Sequence, residues 1–393
     1  MQFSDFGLGN GLVSLLTSRV ITNIAAGFFG VFLPIFLYDE LFDRNITLVV
    51  LYYLASQALY LIFLPIGARF LNKFGFRHSL QLSTVCGASY YLGLRLLTPD
   101  TVHVVVPFLV IIITIWRILY WVPYHVDFAK FTSKKRRGKQ LGTLYALQRL
   151  IGVAGPIVGG FLIATFSYGA AFAVGIGCIL ASLVPLSFLP RTNVQYEYGF
   201  FETFKMMFAK KYRYLTLSMI AYGADSAIGY IIWPIFLFIV FDGAYLSIGI
   251  FASLLVVVNV ILQLIVGKQI DHHHKRKMIK FGVDLYALGW FFKAFVSSVG
   301  GVFAASTFHT FGSIMMRTPV DVMVYEKAAD SGHYIDEFTV IREIALSMGR
   351  SGAIAVLAIV TIFAPIWTAF IFAAVIAFGI STLTKFTLEE VHI

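Results

Sequence analysis

The tetrapeptide Pro34-Ile35-Phe36-Leu37 occurs again, unchanged, as Pro234-Ile235-Phe236-Leu237. At the same shift of 200 residues, Gly67 returns as Gly267, Arg117 as Arg317 and Gly152 as Gly352. The matched residues fall at equivalent places in successive apolar segments, so the chain reads as two copies of one folding unit. Long repeats inside apolar chains build paired helical bundles. No local pattern constrains the fold as strongly.

A chain that folds in water carries about 25% charged residues. This one carries 13%, against 59% hydrophobic residues and 39 Phe. The lipid bilayer is therefore the expected solvent. A spanning helix needs about 20 mostly apolar residues. Such segments lie near 14–38, 46–66, 79–97, 103–125, 141–164, 168–188, 214–240, 244–266, 280–298, 301–320, 338–362 and 364–385. The expected fold class is an all-α polytopic membrane protein with twelve transmembrane helices in two pseudo-symmetric six-helix bundles. The bundles are assigned to 1–188 and 214–393, joined by a cytoplasmic linker at 189–213.

The net charge of +10 does not point to nucleic acid, because the basic residues are segregated. Twenty Lys and Arg fall in the loops after even-numbered spans, whereas the opposite loops hold only Arg44 and Arg95. By the positive-inside rule both termini are expected in the cytoplasm. Within the linker, Phe and Met alternate with Lys210, Lys211 and Arg213, which fits an amphipathic stretch on the inner leaflet. Cys86 and Cys178 lie in apolar runs and offer no disulfide framework. The run His272-His273-His274 reads as a surface turn, so no metal and no cofactor are expected.

Two loops carry a repeated pattern. After the second span come Ala68, Asn72, Lys73, Gly75, Phe76 and Arg77; after the eighth come Gly267, Asp271, Lys275 and Arg276. With the six-plus-six arrangement, these resemble the Gly-x-x-x-Asp-Arg-x-Gly-Arg-Arg/Lys loops of the major facilitator superfamily. Ala68 replaces the leading glycine and Asn72 the acid in the first copy; His274 replaces the inner glycine in the second. In the fifth span, Gly142, Gly155-Pro156 and Gly159-Gly160 are similar to a signature of that family's proton-coupled antiporters, with Ile151 where a further glycine would stand. The same residues suit close helix packing. The resemblance implies secondary active transport by alternating access, with the first, fourth, seventh and tenth helices around a central cavity.

Ionisable groups inside a bilayer are functional candidates. Arg117 and Arg317 occupy matching places in the fourth and tenth spans and could clamp an anion bidentately. Arg317 also has Asp321 at i+4 as a structural partner. Asp225, with Tyr222 one turn before it, is a candidate proton carrier or a fixed counter-ion. Asn23, Thr22 and Gln57 supply neutral hydrogen-bonding groups. Arg19 is expected to reach the inner surface and Lys293 and Arg95 the outer one. Tyr120, Trp121 and Tyr124 are candidates for an apolar cavity wall. Asp127, Arg149, Asp321, Glu326, Arg342, Glu343 and Arg350 form a candidate cytoplasmic gate of breakable ion pairs.

The first reading is a monomeric multi-pass protein of the plasma (inner) membrane, exporting a small-molecule solute in exchange for protons. A nutrient or organic-anion symporter or facilitator is the alternative. A non-transporting scaffold and a membrane-embedded enzyme rank below both, since the loops are too short for a catalytic domain. The resemblance to antiporters implies an amphipathic, often cationic cargo, whereas the paired arginines favour an anionic one.

Overall fold

The computed structural model describes residues 10–131, 137–190, 196–270, 275–330 and 335–382, and the side chains at 125–150, 267–275 and 325–336 lie outside that description. The described residues form twelve long helices and no strand. Helix α1 spans Asn10–Phe29 and resumes as Phe32–Phe36 and a π turn at Leu37–Leu41. The break falls at Gly30 and Val31, where Pro34 cannot donate the hydrogen bond owed to the carbonyl four residues earlier. The run Ile46–Arg95 begins at Asn45, whose side chain accepts from the Leu48 amide at 3.2 Å.

That run is two helices. Gly75, at φ +72° and ψ 170°, turns the chain between α2 before it and α3 after it. Only glycine takes this conformation without steric cost. The loop expected at 67–78 is thus a single-residue break, because the flanking residues stay helical on both sides. There follow α4 (Val102–Phe131), α5 (Arg137–Thr165) and α6 (Tyr168–Ala181, with Leu183–Leu186 beyond it). A linker helix, Phe200–Met207, precedes α7 (Arg213–Val240), α8 (Tyr245–Ile270), α9 (Lys275–Phe295) and α10 (Val299–Asp330). The last two are α11 (Ile335–Phe363) and α12 (Thr368–Ala377).

Among the described residues, seven segments are long and apolar enough to cross a membrane, with Ile46–Arg95 counted as one. Ile151–Thr165 and Thr368–Thr382 are apolar but shorter. Helices α9 and α10 fall outside that set because they carry Lys293, His309, Arg317 and Asp321 among their apolar residues. Those charges are what gives the bundle a polar interior.

The repeat is visible as burial. Ile35 and Ile235 are both 0% exposed, and Phe36 and Phe236 are both 8% exposed. The turn after α1 places Asp43 and Arg44 at positive φ, and the turn after α7 does the same at Asp242 and Gly243. The repeated tetrapeptide and the turn after it therefore sit alike in both halves.

Small residues set the helix crossings. A Cβ on Gly155 would stand 2.6 Å from the Cα of Gly27, so α5 and α1 touch backbone to backbone. Gly159 faces the Phe28 carbonyl and Gly160 the Tyr245 carbonyl, which brings α8 onto the same helix. The fifth-span glycines thus have packing partners on α1 and α8. Between α7 and α11, Gly223 lies against the Leu346 carbonyl and Gly349 against the Ile220 carbonyl. Gly349→Ala should lower stability by about 1–3 kcal/mol, the range for overpacking. Gly352→Ala on the same helix meets nothing within 4 Å, so its Tm in detergent should be unchanged; equal Tm values for the two variants would refute the crossing.

The linker is tied down by the first loop motif. The Asn72 amide donates to the Tyr196 carbonyl at 2.7 Å, and its oxygen accepts from the Tyr196 amide at 3.0 Å. An aspartate there could only accept, which explains why an amide occupies the acid's place. Asn72→Asp would leave a carbonyl facing a carboxylate, a loss of about 1–3 kcal/mol, read as faster proteolysis at the linker. The linker helix packs its buried Thr203 and Met207 against the bundle and exposes Phe201. Burial pushes the Tyr196 phenol up to about 12, so it stays protonated beside the Thr203 hydroxyl that it meets.

Candidate functional site

The polar interior centres on Asp225. Its carboxylate is 0% exposed, and each oxygen is held. Oδ2 accepts from the Tyr286 hydroxyl at 2.6 Å and from the Arg317 guanidinium at 3.3 Å. Oδ1 accepts from the Trp290 indole at 2.7 Å. Arg317 also donates to the Tyr286 hydroxyl at 3.0 Å and lies over the Tyr222 ring, 4.8 Å from its centroid. A buried carboxylate needs such partners, since an unpaired charge there costs several kcal/mol. Arg317 therefore pairs across to α7 and not with Asp321 on its own helix.

Two helical faces build this cluster. On α9, Tyr286, Trp290 and Lys293 follow at i, i+4 and i+7, the spacing of one stripe. On α10, His309, Ser313 and Arg317 share another face. The two helices approach closely because Gly282, Gly289 and Gly312 present no side chain at the crossing; a Cβ on Gly289 would stand 2.5 Å from the His309 Cα. His309 consequently packs against Tyr286 at 4.2 Å and Trp290 at 4.4 Å between centroids, tilted to both rings. Its Nδ1 lies 3.4 Å from the Tyr286 carbonyl, which requires the proton on Nδ1 and leaves Nε2 as the open nitrogen.

Beside the carboxylate lies a cavity of about 440 Å³, within the range of small-molecule sites. Helices α7, α8, α9 and α10 surround it, and Asp225, Trp233, Asn259, Lys293, His309 and Arg317 are in its wall. Lys293 was expected to reach the outer surface. It is instead 4% exposed, with its ammonium 3.9 Å from the Trp233 ring centroid and 4.4 Å from that of Trp290. The indole faces hold the charge inside by cation–π attraction. Arg95 does remain exposed.

Arg117 does not share this wall. It donates to the Ser56 hydroxyl at 3.2 Å and to the Gln57 carbonyl oxygen at 3.0 Å. Gln57 in turn donates to the Ser347 hydroxyl at 3.3 Å, linking α2 to α11. Arg117 thus organises a seam between the halves, while its repeat mate Arg317 organises the cavity. Asn23 and Thr22 are half-buried on α1, and Thr22 donates to the Ser18 carbonyl at 2.9 Å. Arg19 does not reach for the surface. Tyr120, Trp121 and Tyr124 box its guanidinium at 4.8–5.3 Å, and Tyr120 bonds it through the hydroxyl. Those three rings line Arg19 and not the cavity, because their stripe on α4 turns toward α1.

Of the candidate gate, Arg342 and Glu343 pair at 3.1 Å, and Glu343 accepts from the Tyr60 hydroxyl of α2 at 3.5 Å. Arg350 donates to Ser226 at 3.4 Å. Asp321 is half-buried on α10. Asp127, Arg149 and Glu326 lie outside the described side chains, as do Gly142, Gly267, Asp271 and Lys275. Arg276 and Arg77 are half-buried and Lys73 is exposed.

Sequence reading alone passed over Tyr286, Trp290, His309 and the inward course of Lys293. A usable signal existed: polar residues at 306, 309, 310, 313 and 317 form a stripe along one helix. At the shift of 200 residues Asp225 answers to Ala25 and Lys293 to Gly93. The cluster therefore belongs to the second half alone.

A twelve-helix bundle in two related halves, with a charged cavity at membrane depth, defines a polytopic membrane transporter. The family model of the Major Facilitator Superfamily matches residues 15–349, and the chain belongs to that family. No curated protein matches it by sequence. Among solved structures, the peptide transporter POT in complex with alafosfalin is similar, with a TM-score of 0.70 at 12% identity. That likeness covers 97% of this chain and 94% of that one. A bacterial homologue of the human drug peptide transporters PepT1 and PepT2 gives 0.65 at 13% identity, over 97% and 98% of the two chains. Identities this low establish the shared fold and nothing about cargo.

Proposed function

We propose that the protein is a proton-coupled secondary transporter that carries a small solute through the cavity beside Asp225 by alternating access. The observation that carries this reading is the Asp225 carboxylate itself. It is wholly buried, it borders an open cavity, and its partners Tyr286, Trp290 and Arg317 can each remain protonated when it gains a proton. A carboxyl so placed can load and release one proton as Arg317 moves away or returns. The seam from Arg117 through Gln57 to Ser347, and the Tyr60–Glu343 contact beside it, supply breakable links between the halves. Hydrogen bonds of this kind suit rocking motions, since water replaces them when a mouth opens.

The excess of Lys and Arg in one set of loops supports cytoplasmic termini, and we read the protein as a plasma-membrane monomer of two bundles joined by the linker. The test uses proteoliposomes containing a trapped pH dye, challenged in turn with anionic, cationic and neutral compound sets. At least one set is expected to evoke lumenal pH change that a protonophore collapses. Uptake of a solute with no accompanying proton movement would refute the coupling.

A further inference from the structure

Lys293 is a charged group of the cavity wall that the proton-carrier reading leaves unused. Its side chain is 4% exposed, it lies in the cavity wall, and its ammonium meets only the two indole faces. It makes no hydrogen bond and no ion pair within 4 Å of a described residue. The described wall holds one carboxylate, Asp225, which Arg317 already neutralises. One positive charge is therefore left without a carboxylate of its own in the described wall. Arg317 adds a second open donor, since its Nε is buried without a hydrogen-bond partner. Trp233, Trp290, Tyr230 and Tyr286 add flat aromatic faces to a wall that also carries Asn259, Ser306 and Ser313.

We infer that this cavity binds a small organic monoanion with a flat apolar body, its anionic group seated at Lys293, and that the anion loads together with a proton. The inference rests on the assignment of Asp225 as the proton carrier. Protonating Asp225 removes the negative charge that Arg317 balances, so the cavity becomes more positive and holds an anion more tightly. Proton and solute then favour one another, which is the requirement for symport and the opposite of exchange. The charged and titratable groups around Asp225 are Arg317, His309 and Asp321 on α10, Tyr286 and Lys293 on α9, Tyr222 on α7 and Arg350 on α11. Of these, Lys293, His309 and Asp321 could mimic the effect by gaining a proton in the same range.

The experiment measures binding of three matched probes to the purified full chain in detergent: 2-naphthoate, neutral 2-naphthamide and cationic 2-naphthylmethylamine. Tryptophan fluorescence reports contact at Trp233 and Trp290, and thermal shift reports affinity. At pH 7.5 naphthoate should bind at least tenfold more tightly than either other probe. At pH 5.5, where naphthoate is still ionised, its affinity should rise severalfold further. Lys293→Met should erase the preference for naphthoate over naphthamide, and Lys293→Arg should keep it. Asp225→Asn should hold naphthoate affinity at the high value at both pH values.

Equal binding of naphthamide, no naphthoate binding at millimolar concentration, or weaker naphthoate binding in acid would each overturn the inference. Persistent pH dependence in Asp225→Asn would assign it to Lys293, His309 or Asp321 and overturn co-loading through Asp225. If Lys293→Met fails to fold, the wild-type probe series and Lys293→Arg still decide. Binding in detergent requires no transport. A naphthoate site in a protein that moves no protons would sink the proposed coupling and spare this site, and the reverse pattern would do the opposite.

Discussion

Asp225→Asn is expected to abolish transport driven by an imposed pH gradient while leaving solute exchange across the bilayer intact. The amide keeps the shape of the carboxyl; its one oxygen can accept from Trp290 while its NH2 donates to the Tyr286 hydroxyl oxygen. It cannot take up or release a proton. In proteoliposomes, accumulation against a gradient should fall to the level of protein-free vesicles, whereas counterflow of labelled for unlabelled solute should continue. Loss of both activities would make Asp225 a structural counter-ion. Retention of both would remove it from the mechanism.

The second large effect is expected at its partner. Arg317→Met fills similar space but leaves the Asp225 carboxylate buried without its cation. Removing one member of a buried pair costs about 3–5 kcal/mol, because the remaining charge is uncompensated. The variant should therefore melt far below wild type at neutral pH. The double variant Arg317→Met with Asp225→Asn carries no orphaned charge and should recover much of that loss. Failure of the second substitution to rescue the first would show that Arg317 stabilises the fold through Tyr222 and Tyr286 and not through the carboxylate. The comparison is a double-mutant cycle, and its coupling energy measures the pair directly.

The twelve-helix architecture was legible in the sequence because two independent signals agree, the apolar segment length and the shift of 200 residues. Helix ends were less legible. A spanning-length criterion detects lipid-facing apolar surface, so it ended the tenth helix at 320, whereas the backbone stays helical to Asp330. Asp225, Arg317 and Tyr222 were identifiable as charges or their neighbours inside apolar runs, and the structure brings these three together. Arg117 and Arg317 were expected at one cavity by symmetry. They part because their helices meet different neighbours: Ser56 and Gln57 for one, Asp225 and Tyr286 for the other.

Lys293 and Arg19 were misread for the same physical reason. Snorkelling assumes that a long cation near a helix end finds water more cheaply than protein. Here aromatic faces from neighbouring helices, Trp233 and Trp290 in one case and Tyr120, Trp121 and Tyr124 in the other, offer a closer alternative. Those pairings depend on which stripes face each other across a helix crossing. Period along one helix does not contain that information. The contact between Asn72 and Tyr196 was hidden likewise, since its partners lie 124 residues apart.

Ser313 lies in the cavity wall between His309 and Arg317. Once Cys86 and Cys178 are replaced, a Ser313→Cys variant carries a single thiol there. Sealed proteoliposomes of known orientation would be treated with a membrane-impermeant thiol reagent added first to one side and then to the other. If this cavity is the alternating path, the thiol is labelled from either side, and a bound solute slows both reactions. Labelling from one side alone, with no response to solute on either, would contradict alternating access through the Asp225 cavity.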